Sequence, residues 1–355
     1  MTSLVVKSFL SVLVALQVQA APAPPEANPR SVGGSGSAHD SPLKTREARA
    51  AQVEHSRASV QQVMGVLPEP SHRVPLNVEV ISEEQAGKYL RRKIWFTPEA
   101  GDRVPAWLLI PNELPPGGKA PAMLCLHQTI AIGKDEPAGL GGTSSLHYAH
   151  ELAERGYVCL VPDYPSFGEY TYDFKKQGAH YASGSMKAIW NNVRAVDLLE
   201  TLPEVNAEAI GVIGHSLGGH NAIFTAFFDQ RLKAIVSSCG FTSFSHYFGG
   251  KLEGWTSDRY MPRIRTIYEC DPRKVPFDFD ELVSALAPRG FFANAPINDG
   301  NFDVHGVRTV FKEAMPVYAL FDAHNNLKLV TPEAGHSFPR KEREAAYAWL
   351  DGLLK

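Results

Sequence analysis

The chain has 355 residues, 44% of them hydrophobic and 21% charged, with a formal net charge of −3. This is the balance of an ordinary globular protein, and it excludes a fibrous or wholly disordered chain. With no basic stripe and no long acidic run, composition also excludes a nucleic-acid partner, so the partner must be read from a site.

Residues 1–20 read as a signal peptide. Lys7 precedes the apolar run from Phe9 to Leu16, and Val18-Gln19-Ala20 places small residues where a signal peptidase cuts. The rival reading is an uncleaved anchor, but a bilayer span takes about 20 apolar residues and this run is shorter. The segment therefore predicts a secreted or periplasmic protein with no membrane attachment after cleavage. Residues 21–45 are rich in Pro, Gly, Ser and Ala, as in Ala21-Pro22-Ala23-Pro24-Pro25 and Gly33-Gly34-Ser35-Gly36-Ser37. Too apolar-poor to fold, they read as a disordered linker. Residues 46–73 form a helical extension, its polar helix expected around Lys44–Val63.

The folded domain is expected over 74–355. Leu76–Val80 and Arg92–Phe96 alternate apolar with polar residues, and with Val104–Ile110 they predict antiparallel strands turned at Glu99-Ala100-Gly101-Asp102. Continuous apolar runs then occur at Ala122–Leu126, Tyr157–Val161, Ile210–Ile213, Leu232–Val236, Phe291–Ala295 and Leu327–Val330. Such runs suit parallel strands buried on both faces. Helical spacing over Leu146–Arg155 and Met186–Leu202 separates them. The pattern predicts an α/β fold: a mostly parallel sheet with antiparallel N-terminal strands and helices on both faces. Of the four cysteines, Cys125 and Cys159 lie in these apolar runs and Cys239 closely follows the run Leu232–Val236, and all four, Cys270 included, are read as core residues. None has metal-ligand spacing, so neither a metal nor any other cofactor is expected.

The strand Ile210–Ile213 runs into Gly214-His215-Ser216-Leu217-Gly218-Gly219, with a helix over Asn221–Phe228. Gly-x-Ser-x-Gly alone is a weak signal, but between a strand and a helix it has the context of a nucleophile elbow. At the tip of so sharp a turn the flanking residues must be small, and the serine points at amides able to hold developing negative charge. Ser216 is the expected nucleophile.

Serine needs a base, and the base needs a carboxylate to fix its tautomer. His336, in Gly335-His336-Ser337-Phe338-Pro339, follows the last apolar strand, where active-site loops of open parallel sheets gather. His305 and His324 fall in helical stretches, and His220 in the first turn of the nucleophile helix. For the acid, Asp299 occupies the loop after the next-to-last strand. Asp303 is the alternative, already explained as the N-cap of a helix over Val304–Glu313. Asp322, read as helical, ranks third. The oxyanion donors are expected from the amides of Leu217 and of Thr129, with Gln128 as the alternative to Thr129. His127 reads as a loop-bracing residue.

Taken together, Val104–Pro111, Leu124–Thr129, Glu151–Tyr157, Val161–Tyr164, Gly211–Gly219, Leu286–Arg289 and Gly335–Pro339 make the chain resemble the dienelactone-hydrolase and acetyl-xylan-esterase-like branch of the α/β-hydrolases, from about Arg92 to Leu354. The resemblance implies an α/β-hydrolase fold and ester hydrolysis by Ser216, Asp299 and His336, on a small-molecule or carbohydrate ester. Dienelactone hydrolases proper use cysteine where this chain has Ser216, so lactone specificity does not carry over. An aromatic segment over 241–285, with Trp255 and Tyr260, reads either as a lid or pocket wall or as a packing excursion. Tyr164, Phe167 and His127 are further pocket candidates. Two other functions fit less well. A prolyl-oligopeptidase-like peptidase would add a propeller, one blade of which takes roughly 40 residues, and no room precedes the core. A non-catalytic binding protein on a hydrolase scaffold would be expected to have lost a triad member.

Overall fold

The computed structural model describes residues 46–178 and 180–355. The signal peptide and linker assigned to 1–45 lie outside the described residues. Among the described residues nine strands form one sheet: β1 Glu79–Ala86, β2 Tyr89–Phe96, β3 Val104–Pro111, β4 Ala120–Leu126, β5 Val158–Pro162, β6 Val205–His215, β7 Leu232–Ser238, β8 Gly290–Asn294 and β9 Leu327–Val330. Their order is β1-β2-β3-β5-β4-β6-β7-β8-β9. Pairing is antiparallel from β1 to β5 across β2 and β3, and parallel from β5 through β9.

The sheet is covered on both faces because its central strands are apolar on both. On one face, Leu124, Leu160, Val212 and Phe291 join a core with α1 (Arg46–Met64), α3 (Gly184–Thr201), α4 (Leu217–Phe228), α6 (Phe279–Leu286) and α7 (Val304–Ala319). On the other, Cys125, Cys159, Val161, Ile213 and Val236 pack with α2 (Tyr148–Glu154) and α8 (Arg340–Leu354). Among the described residues no helix is long and apolar enough to cross a membrane. All four cysteines are free thiols, with Cys125, Cys159 and Cys239 buried and Cys270 partly so.

Three elements differ from the sequence expectation. The first strand is Glu79–Ala86, displaced from Leu76–Val80. It is an edge strand exposed along nearly its whole length, so its register rests on charge pairs instead of apolar alternation. Arg91 Nη2 donates to Glu84 at 2.7 Å and Arg92 Nε to Glu83 at 3.0 Å. Helix α7 continues past Glu313 to Ala319, burying Ala314, Val317 and Tyr318. Asp322 is not helical; it follows that helix with φ 56°.

Helix α3 is fixed to the β2–β3 turn by a buried cation. The Lys187 ammonium lies 2.7 Å from Glu99 and 2.6 Å from Asp102, and its side chain has no exposure. Removing it strands two carboxylates in a site almost closed to water, a change that costs about 3–5 kcal/mol for a buried pair. Lys187→Met is expected to lower the urea unfolding free energy by that order; a loss below about 1 kcal/mol would show the carboxylates to be solvated.

Three histidines are buried near the carboxyl ends of the strands. Burial pushes His127 down to about 4 and His215 and His220 to about 3. In the unfolded chain each takes a proton near pH 6.5. The buried Asp163 carboxyl works in the opposite sense, pushed up by burial to about 6 despite Lys134 beside it. Unfolding near pH 5 should therefore take up about three protons at the histidines and release about one from Asp163. Stability is expected to be highest near neutrality and to fall as pH drops from about 6.5 toward 4, by up to about 3 kcal/mol per pH unit. Urea titrations at pH 7, 6 and 5 measure this, and a flat profile would contradict neutral buried imidazoles.

Candidate active site

The order β5-β4-β6 places the start of the parallel sheet at its middle, and the chain leaves β4 to either side. Loops after β4 and β6 consequently meet at the carboxyl ends of the strands, the ligand-binding crevice of open α/β sheets. At the end of β6 the chain turns through Ser216 into α4. Ser216 has φ 54° and ψ −118°, a conformation disfavoured for a residue with a side chain and held here by its surroundings. Its amide donates to the Ser238 carbonyl at 2.8 Å. The flanking glycines are required by space. A Cβ on Gly214 would stand 2.2 Å from the Gly218 carbonyl oxygen, and one on Gly218 would stand 1.9 Å from that of Leu126.

Leu217 opens α4, so its amide belongs to the first turn, whose N–H groups have no helical acceptor. Opposite it lies the loop after β4. There His127 Nε2 accepts from the Tyr164 amide at 2.9 Å, which makes Nδ1 the protonated nitrogen, donating to the Gln128 carbonyl at 2.5 Å. The imidazole thus braces the backbone at Gln128 and Thr129. Gln128 Nε2 donates to Glu136 at 2.8 Å, and the Thr129 hydroxyl lies 3.1 Å from that of Tyr260.

His336 sits in the loop after β9. Its Nδ1 is 3.0 Å from each carboxylate oxygen of Asp299, whose side chain is 1% exposed. Burial pushes the Asp299 carboxyl up, but hydrogen bonds from His336 and the Asn301 amide outweigh it and hold the group below the usual carboxylate range. Asp303 caps α7 and pairs with His305 at 2.9 Å. Asp322 is not a hydrogen-bond partner of His336. Among the described residues no hydrogen bond joins Ser216 to His336. Both side chains face one cavity, a relation common before substrate closes a catalytic site.

That cavity, of about 350 Å³, is lined by Gln128, Thr129, Ser216, Leu217 and His336 together with the aromatic side chains of Tyr247, Phe248, Trp255 and Tyr260. Of the sequence-derived pocket candidates, Trp255 and Tyr260 line it. His127, Tyr164 and Phe167 do not; Tyr164 and Phe167 pack with Leu217 and Tyr260, and the Phe167 ring stands edge-on to those of His127 and Tyr164. Residues 241–285 are partly core and partly wall. Phe241, Phe244, Ile264 and Tyr268 are buried, and a capping box at Asp278 anchors α6. Tyr247 and Phe248, from the same aromatic segment, also line the cavity, as do His220, Gly254, Asn301 and Phe302, which the sequence does not mark as pocket residues. The position of His220, one helical turn past Ser216, was the available signal.

Close to His336, His215 Nδ1 lies 2.9 Å from the Ser238 hydroxyl, which also accepts from Asn294 at 2.9 Å. His215, Cys239 and His336 offer three possible metal-ligand atoms within 4.8 Å of one another. The donor set is a poor one. His215 Nδ1 is engaged by the Ser238 hydroxyl and His336 Nδ1 by the Asp299 carboxylate, so both rings already spend a nitrogen on protein partners.

The comparisons with known proteins agree with this architecture. A family model described as the alpha/beta hydrolase family matches residues 123–348. The Bacillus subtilis protein YtaP, named only provisionally as a hydrolase, is 25% identical over 307 residues, which cover 84% of this chain and 98% of that one. The 4-O-methyl-glucuronoyl methylesterase of Hypocrea jecorina is 24% identical over 198 residues, half of this chain and 42% of that protein. The solved glucuronoyl esterase from Solibacter usitatus superimposes with a TM-score of 0.66 at 18% identity, covering 87% of this chain and 93% of that one. At that identity the likeness speaks for the fold. Sheet, elbow and family match together lead to one statement: the chain belongs to the α/β hydrolase family.

Proposed function

We propose that the protein hydrolyses carboxylic esters through an acyl-enzyme on Ser216, with acylated carbohydrates as the favoured substrate class, and that it acts outside the cytoplasm. The observation that carries this reading is the strained Ser216 at a strand-to-helix turn, sharing a cavity with a histidine held by a buried carboxylate. His336 takes the Ser216 proton as the hydroxyl attacks the ester carbonyl, then returns it to the departing alcohol. Asp299 holds the proton of the neutral ring on Nδ1, leaving the other nitrogen free as base, and stabilises the imidazolium that forms. The amides of Leu217 and Thr129, or Gln128 in place of Thr129, hold the oxyanion. Water, activated by His336, then attacks the acyl-enzyme, releasing the acid and Ser216. The names of the glucuronoyl and 4-O-methyl-glucuronoyl esterases favour the carbohydrate substrate, and the leader over 1–20 favours export.

Ser216→Ala is expected to abolish hydrolysis of 4-nitrophenyl acetate while leaving the unfolding midpoint unchanged. Asp299→Asn should lower kcat by about 10⁴-fold through the wrong tautomer, whereas Asp303→Asn, which removes only a helix cap, should leave kcat within a few-fold. Steady-state kinetics of the three variants decide it: activity retained in Ser216→Ala would remove the mechanism, and equal losses in the two Asp variants would remove the assignment of the acid.

A further inference from the structure

Among the described residues the buried histidines have hydrogen-bond partners, with one exception. His127 uses both ring nitrogens, and His215 is held by Ser238. His220 is only 6% exposed, yet neither ring nitrogen makes a hydrogen bond. The Gly240 backbone lies near enough to favour its charged form, but one carbonyl engages at most one of two nitrogens. Trp255 repeats the pattern: it is 4% exposed, and its indole N–H also has no partner.

The two rings are in contact, with centroids 4.7 Å apart, and both border the cavity that holds Ser216. His220 lies one turn along α4, its amide donating to the Ser216 carbonyl at 3.2 Å. Other buried polar atoms, such as the Trp190 indole nitrogen and the Tyr318 hydroxyl, also lack a partner, but among the described residues His220 and Trp255 are the ones that border the Ser216 cavity, where a ligand can reach them. Here they are adjacent, and they flank the residue read as the nucleophile.

Their chemistry selects among ligands. Burial lowers His220 to about 3, so the ring is neutral at ordinary pH, with one N–H donor and one bare acceptor nitrogen. Trp255 offers a donor only. A hydroxyl group both accepts and donates, so it can take the indole N–H and give its own proton to the imidazole. A carboxylate would find donors but no positive charge, and an alkyl chain would leave all of these nitrogens dry.

We propose that His220 and Trp255 are specificity-determining residues that recognise a substrate hydroxyl, so that the ester presented to Ser216 carries a polyhydroxylated, sugar-like moiety in place of a plain alkyl one. The proposal rests on the reading of Ser216 as the nucleophile of an ester hydrolase. It accounts for a wall that is aromatic, suited to a sugar ring, and yet includes unpaired nitrogens.

Two matched substrate pairs test it in the full chain. Monoacetylated methyl glucoside against cyclohexyl acetate places the hydroxyls on the alcohol side, and methyl glucuronate against methyl cyclohexanecarboxylate places them on the acyl side. In at least one pair the wild type should favour the hydroxylated member by about 100-fold or more in kcat/KM. His220→Phe and Trp255→Phe should each lower kcat/KM for the hydroxylated member by about tenfold or more beyond any loss on its hydroxyl-free counterpart. His220→Gln, which keeps a donor and an acceptor, should retain more of the preference than His220→Phe. No preference in the wild type, or equal losses on both members, would overturn the proposal. A binding measurement needs no change at His220: in Ser216→Ala, methyl glucoside or glucuronic acid should bind more tightly than its hydroxyl-free counterpart, and equal binding overturns the proposal. If 4-nitrophenyl acetate itself is not hydrolysed, or is hydrolysed by Ser216→Ala, the failure lies in the parent reading instead.

Discussion

The site depends on how closely two stretches of backbone approach each other. Position 218 lies so near the end of β4 that any side chain there would collide with the Leu126 carbonyl, and position 214 is closed by Gly218 in the same way. These contacts leave glycine as the residue for both places, and with β6 hydrogen-bonded between β4 and β7 they hold Ser216 at its unfavourable backbone angles. The same approach sets the first amides of α4 opposite the loop at Gln128 and Thr129. Strain at one residue is thus maintained by the whole centre of the sheet, which fixes Ser216 between the first turn of α4 and the loop after β4.

Electrostatics around that point are arranged by burial. His127 and His215 are neutral and hydrogen-bonded, so they serve as struts; the loop after β4 keeps its shape because His127 spans Tyr164 and Gln128. Asp299 is buried and ionised because His336 and a backbone amide supply what water would have supplied. Cys239, beside the same carboxylate, is kept as a thiol. One negative charge therefore faces one imidazole, the arrangement that the general-base role proposed for His336 requires. His220 stands apart as a neutral ring left without partners on the cavity side of α4.

Much of this was legible in the sequence because the central strands are hydrophobic on both faces and the elbow imposes its glycines locally. Asp299 could be placed in the loop after the next-to-last strand from the order of apolar runs alone, and in the structure it is Asp299 that contacts His336 while Asp303 caps α7. The misses have physical causes. Strand β1 is wet along its length, so it carries Glu and Gln in place of the alternation that marks a half-buried strand. Tyr164 and Phe167 are aromatic residues beside a functional loop, but composition does not say whether a ring faces the cavity or supports the residues that do. For residues 241–285 the aromatic content served both purposes, with Phe244 and Tyr268 in the core and Tyr247 and Trp255 on the wall. The lack of partners at His220 was invisible in sequence, since it depends on what surrounds the ring.

The most direct measurement of the central claim is the site of covalent modification by an active-site-directed fluorophosphonate, followed by peptide mass spectrometry. The account predicts a single adduct on Ser216, formed quickly in the wild type and far more slowly once Asp299 no longer holds His336. An adduct on another residue, or labelling that persists at full rate after Ser216 is replaced by alanine, would contradict it.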